Sequence, residues 1–116
     1  MSSDAVAVLA LVPDEAMTIA ALGRVAPGLS LEQDAAGALH LFDDAGRRWF
    51  TVEPALLVQV EGEADRLLGS GPPVPCPGWW LEVRADAGVP GAVDAARAMA
   101  RAMAQLGEGT FWRTTS

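Results

Sequence analysis

His40 is the chain's only histidine, and Asp43 and Asp44 follow it closely. A lone imidazole can act as a general base if a nucleophile stands within hydrogen-bond reach, but it cannot anchor a usual zinc site. Asp43 and Asp44 open an Asp-Asp-Ala-Gly run, where aspartate is favoured for bonding to its own backbone. The pairs Asp43/Asp44 and Glu61/Glu63 lack the spaced oxygens of a calcium loop and read as solvated acidic surface. Cys76 sits between Pro75 and Pro77, with no second thiol to pair with and no neighbouring base to activate it. Gly69-Ser-Gly71 leads into prolines, and Gly107-Glu-Gly109 follows a helical segment, so neither glycine pair opens a phosphate-binding helix. Ser70 lacks the Gly-x-Ser-x-Gly elbow of a serine hydrolase. These residues indicate no catalytic constellation, no metal and no cofactor.

The tryptophans are more informative. Trp49, Trp79, Trp80 and Trp112 come from three expected strands, and core packing explains most of such residues. Trp79 and Trp80 are adjacent, however, so a strand must aim them at opposite faces. If helices cover one face, Trp80 stands on the other beside Glu82 and Arg84, which makes Trp80, Glu82 and Arg84 a candidate interface. The alternative is an apolar pocket between the hairpins and the proline-rich segment. Trp49, Phe50 and Trp80 would line it, and His40 or Arg84 would be its polar group. Met99 and Met103, at helical spacing, read as core.

The elements that must position these residues follow from period and punctuation. Ala5 to Val12 is an unbroken apolar run, as in a strand buried on both faces. Pro13 fits the first position of a helix in which Ala16, Ile19, Ala20 and Gly23 recur at helical spacing, and Pro27-Gly28 ends it. A meander follows: Leu29 and Leu31 alternate with Ser30 and Glu32, Leu39 and Leu41 with His40 and Phe42, and Trp49, Thr51 and Glu53 with Phe50 and Val52. The turns Asp34-Ala-Ala-Gly37 and Asp43-Asp-Ala-Gly46 echo each other. Pro54 breaks the ladder, Leu56 to Val60 reads as a short strand, and Glu63 to Leu68 as a turn or two of helix. Residues 69–78 form a Pro/Gly-rich surface loop. In the central strand, Trp79, Leu81, Val83 and Ala85 face one way while Trp80, Glu82, Arg84 and Asp86 face the other.

Pro90 then starts an alanine-rich helix with Val93, Ala96, Met99, Ala100, Met103 and Leu106 as its apolar stripe. Asp94 and Arg97 are spaced for an ion pair, and Gly107 is placed as the cap. Thr110 to Trp112 adds a last strand, and residues 1–4 and 113–116 should fray. The expected fold is α+β: an antiparallel-rich sheet of five to seven strands with two main helices on one face. In topology it is similar to a ferredoxin-like βαββαβ plan with extra meander strands.

Composition bounds the function. With 116 residues the chain has the size of one domain, 1–116, and 51% apolar residues suffice for a core without metal or disulfide. The net charge is −7, all eight bases are arginine, and there is no basic run, so nucleic acid is not an expected partner. The first apolar run is too short to span a bilayer and lacks a basic leader, so no membrane partner is expected and the cytoplasm is the default location. Arginine without lysine, amid many Ala and Gly, suggests a GC-rich bacterial genome. The reading is an acidic, non-enzymatic interaction or accessory module of the regulatory or immunity kind. It would bind a protein partner or pair with its own copy as a homodimer. The alternative is a small-molecule binder or minor enzyme built on the His40, Trp49, Phe50 pocket.

Overall fold

The computed structural model of the chain describes residues 5–58 and 77–113. The described residues form seven strands: β1 (Ala5–Leu9), β2 (Ser30–Gln33), β3 (Leu39–Phe42), β4 (Arg48–Val52), β5 (Leu56–Val58), β6 (Gly78–Ala85) and β7 (Thr110–Arg113). They form one antiparallel sheet in the order β2-β3-β4-β6-β1-β7. Beyond the break at Pro54, β5 pairs with the first half of β6, while β4 pairs with the second half. Helices α1 (Glu15–Val25) and α2 (Ala92–Leu106) lie on one face. Because neighbours are antiparallel, β1 and β4 run parallel with β6 between them, and β6 and β7 run parallel with β1 between them. Those are two interleaved split β-α-β units, compatible with a ferredoxin-like plan that β2 and β3 extend at one edge.

Alternation sets the core. Ala5, Ala7 and Leu9 stand in register with Val83, Leu81 and Trp79, and Leu41 with Phe50, all on the helix side. Against them α2 places Ala96, Met99, Ala100 and Met103, none of them exposed. Its alanines let it sit directly on β1, β4, β6 and β7. Val6 and Val8, on the other face of β1, are buried as well, but the two-sided burial expected through Val12 stops at Leu9: Ala10, Leu11 and Val12 lie beyond the strand and are exposed.

The turn from α2 into β7 passes very close to β1. Gly109 donates its N–H to Ala104 O at 2.8 Å, and a Cβ at Gly109 would meet the Val8 carbonyl oxygen and lie 2.7 Å from Leu9 Cα. Gly107 caps α2 as expected, donating to Met103 O.

Several details depart from the sequence expectations. Pro13 lies just outside α1, because Asp14 is the N-cap and its side chain accepts the Met17 N–H at 2.8 Å. The face of α1 also differs: Thr18 and Ala21 are buried, whereas Ala16, Ile19, Ala20 and Gly23 are exposed. This helix has apolar residues all round, so its periodicity could not select a face; packing against α2 did. Thr18 tolerates burial because its hydroxyl donates to Asp14 O at 3.0 Å. Trp49 does not join Thr51 on the open face. A register shift in the β3–β4 pair turns it toward the helix side, where its ring lies against Gly91 at the start of α2. Asp94 and Arg97 form no ion pair among the described residues. Arg113 belongs to β7. The expected residues 59–60 of the fifth strand, the Glu63–Leu68 helix, most of the 69–78 loop, Glu61, Glu63, Ser70 and Cys76 lie outside the described residues.

Candidate functional site

Two surfaces can carry function, one on each face of the sheet. On the open face, cross-strand register aligns Glu32, His40, Thr51 and Arg84 across β2, β3, β4 and β6. His40 Nε2 lies 2.8 Å from Asp34 Oδ2, and its Nδ1 lies 3.0 Å from Thr51 Oγ1. A neutral ring with its proton on Nε2 satisfies both contacts: it donates to the carboxylate and accepts from the hydroxyl. Arg48 Nη1 stands 3.5 Å from the same Nδ1, while Arg48 grips Asp86 with two nitrogens at 2.9 and 3.3 Å. Arg84 Nε lies 3.5 Å from Glu53 Oε1, close enough to pair electrostatically but not aligned to hydrogen-bond.

Carboxylate, imidazole and hydroxyl thus stand in the order of a base with its orienter and a nucleophile. Their setting points elsewhere. Thr51 is only 8% exposed, and the row lies on the sheet face opposite the helices. The arrangement acts as a clasp that ties the β2–β3 turn to β4.

That clasp is half of a repeated device. In the β2–β3 turn, Asp34 Oδ1 accepts the N–H groups of Ala36 and Ala38, Gly37 adopts φ +96°, and Oδ2 takes His40. Nine residues on, Asp43 Oδ1 accepts from Ala45 and Arg47, Gly46 adopts φ +81°, and Oδ2 takes Trp49 Nε1 at 2.9 Å. Both turns need the left-handed glycine to return the chain as a three-residue hairpin loop. The sequence signal was present as Asp-x-x-Gly-x-x-His and Asp-x-x-Gly-x-x-Trp. The His40 hydrogen bond holds the Asp34 carboxyl below its ordinary range. The Trp49 indole, then the Arg47 backbone and side chain, lower Asp43 to about 2.

The other surface is a groove on the helix side. Because α1 packs chiefly on α2 rather than on the strands, a space of about 460 Å³ remains between α1 and the β2–β4 meander. Ile19 and Leu22 line it from above, Leu31, Leu39, Val52 and Leu81 from the sheet, and Met103 at its inner end. Ile19 and Leu31 are 55% and 38% exposed, so apolar surface is open to solvent at the rim. Its ionisable lining residues, among the described ones, are Asp14, Glu15 and Glu53, and the Glu53 carboxylate is turned toward Arg84 on the other face.

The candidate residues named from sequence fall as follows. Trp80, Glu82 and Arg84 do share the face opposite the helices, and all three are half-buried. Trp80 stands in register between Val8 and Leu56. His40, Trp49 and Phe50 are not brought into one cavity: Phe50 is fully buried under α2, Trp49 packs at its start, and His40 is on the open face. Strand alternation puts His40 on the face opposite Phe50, while the register shift leaves Trp49 on the helix side at the start of α2. No local sequence pattern singles out the groove residues, because they come from six separate elements. Among the described residues no three His, Cys, Asp or Glu side chains converge to hold a metal, and no helix is long and apolar enough to cross a membrane. Comparison with protein-family models, curated proteins and solved structures finds no match to this chain.

Proposed function

We propose that this chain is a non-enzymatic interaction module whose groove between α1 and the meander receives an apolar segment of a protein partner. The observation that carries this reading is the groove itself, apolar on both walls and solvent-open, with Ile19 and Leu31 at its rim. Contiguous exposed apolar surface on a small domain marks a docking site more often than chance, whereas scattered apolar residues do not. The Trp80, Glu82 and Arg84 row has the weaker claim. Arg84 already faces Glu53, and desolvating charges that are paired within the chain opposes binding. Placing a photo-crosslinking amino acid at position 19 or 31 tests the reading in an extract of the source cells. One defined adduct from both sites, absent when the label is at exposed Glu108, supports it; equal labelling from all three sites ends it.

A second reading keeps the groove and changes its occupant to a small apolar ligand, because its volume falls within the roughly 300–1,000 Å³ usual for such sites. Native mass spectrometry of gently purified protein separates the two: a discrete small adduct, lost in Ile19→Glu, would favour the ligand.

A further inference from the structure

Resting on the docking reading, we infer that the partner binds as an extended strand added to the outer edge of β2, with apolar residues alternating with basic ones. Three observations converge. β2 is the terminal strand of the sheet and pairs only with β3 among the described residues, so its outer backbone groups are available as a template. The groove opens beside that edge: Leu31 and Gln33 of β2 line it, with Ile19 of α1 on the opposite wall. An added strand would send every second side chain under α1.

Charge defines the rest of the pattern. The intervening side chains would emerge on the open face beside Glu32, and the ends of the segment would meet Asp14 and Glu15 at the start of α1. No base among the described residues lines the groove, and the chain carries −7. A second copy is the poorer occupant, since pairing β2 with itself brings two acidic chains together with Glu32 from each at the junction. The recognised class is therefore a protein segment of the form apolar-basic-apolar in extended conformation. Backbone pairing supplies the affinity, and the side chains beneath α1 supply the selectivity.

Calorimetric titration with the capped hexapeptide Thr-Leu-Arg-Val-Arg-Leu tests the inference on the intact chain. The expected result is saturable 1:1 binding with slowed amide exchange within Ser30–Gln33. Binding should weaken roughly tenfold or more with Ile19→Glu, with backbone N-methylation of the peptide, and with glutamate in place of its arginines. Circular dichroism and an unchanged melt confirm that Ile19→Glu is folded, as expected at so exposed a position. Equal binding of the N-methylated peptide, or of the reordered Thr-Arg-Arg-Leu-Val-Leu, overturns strand addition, as does absence of any binding. A dimer in sedimentation that blocks the peptide would give the edge to a second copy and overturn the choice of occupant. If positions 19 and 31 crosslink a partner while the hexapeptide fails, the groove reading stands and strand addition alone falls.

Discussion

Gly109→Ala is the sharpest test of the architecture. The new Cβ would meet the Val8 carbonyl oxygen and stand 2.7 Å from Leu9 Cα and 2.8 Å from Val8 C, where ordinary contacts begin near 3.4 Å. All three atoms are backbone of β1, held in the sheet by β6 on one side and β7 on the other, so no rotamer relieves the overlap. The α2–β7 turn must retreat by more than half an ångström. That retreat strains the Gly109 N–H to Ala104 O bond and the bonds from the Ala10 and Leu11 N–H groups to Gly107 O. Overpacking costs about 1–3 kcal/mol and a weakened hydrogen bond about 1 kcal/mol, for a total of roughly 2–4 kcal/mol. Unfolding entropy of about 2.1 cal/mol/K per residue makes that a fall in Tm of roughly 8–16 °C for a chain this long. Urea unfolding should show a lower midpoint at unchanged slope. Gly28→Ala, with nothing within 4 Å of the added methyl, is the control and should stay within about 0.5 kcal/mol. If Gly109→Ala is as stable as Gly28→Ala, the close approach of that turn to β1 is wrong.

Other outcomes follow from the same geometry. Gly23→Ala, in the interior of α1 with open space around it, should stabilise the chain by about 0.5–1 kcal/mol in urea unfolding, the opposite sign to Gly109. Thr51→Val keeps the shape but removes the hydroxyl that meets His40 Nδ1. A loss of about 0.5–1.5 kcal/mol is expected, and a double-mutant cycle with His40→Ala should show most of it as coupling. Phe50→Ala empties a fully buried site and should cost about 3–5 kcal/mol by the same assay. Asp43 is held at about 2 in the folded state, below the unfolded carboxylate range, so its contribution is complete above that range and is lost as pH falls toward 2. Urea midpoints measured between pH 5 and 2 should decline, and Asp43→Asn should flatten the decline.

Local sequence was a good guide wherever one residue type answers one local demand. The turns at Asp34–Gly37 and Asp43–Gly46 were legible because a left-handed position admits glycine and an Asx cap calls for aspartate. The two faces of β6 were legible because alternation is a property of the extended chain itself. The orientation of α1 is not legible in the sequence, since a helix with apolar residues on every side has no preferred face until α2 supplies one. The face of Trp49 is not legible either, because a single register shift changes the face of one residue without altering the composition around it.

The order and type of the elements, the hairpin turns and the inner face of the sheet were therefore determined by the chain's own pattern of apolar spacing, glycine and aspartate. Strand order, the union of Asp34, His40 and Thr51, and the groove between α1 and β2 were decided only in the tertiary structure. The physical reason is range. Turns and alternation arise from neighbours in sequence, whereas the groove exists because α1, packed on α2, leaves the β2 end of the meander partly open, with Leu31 exposed, a relation between surfaces far apart along the chain.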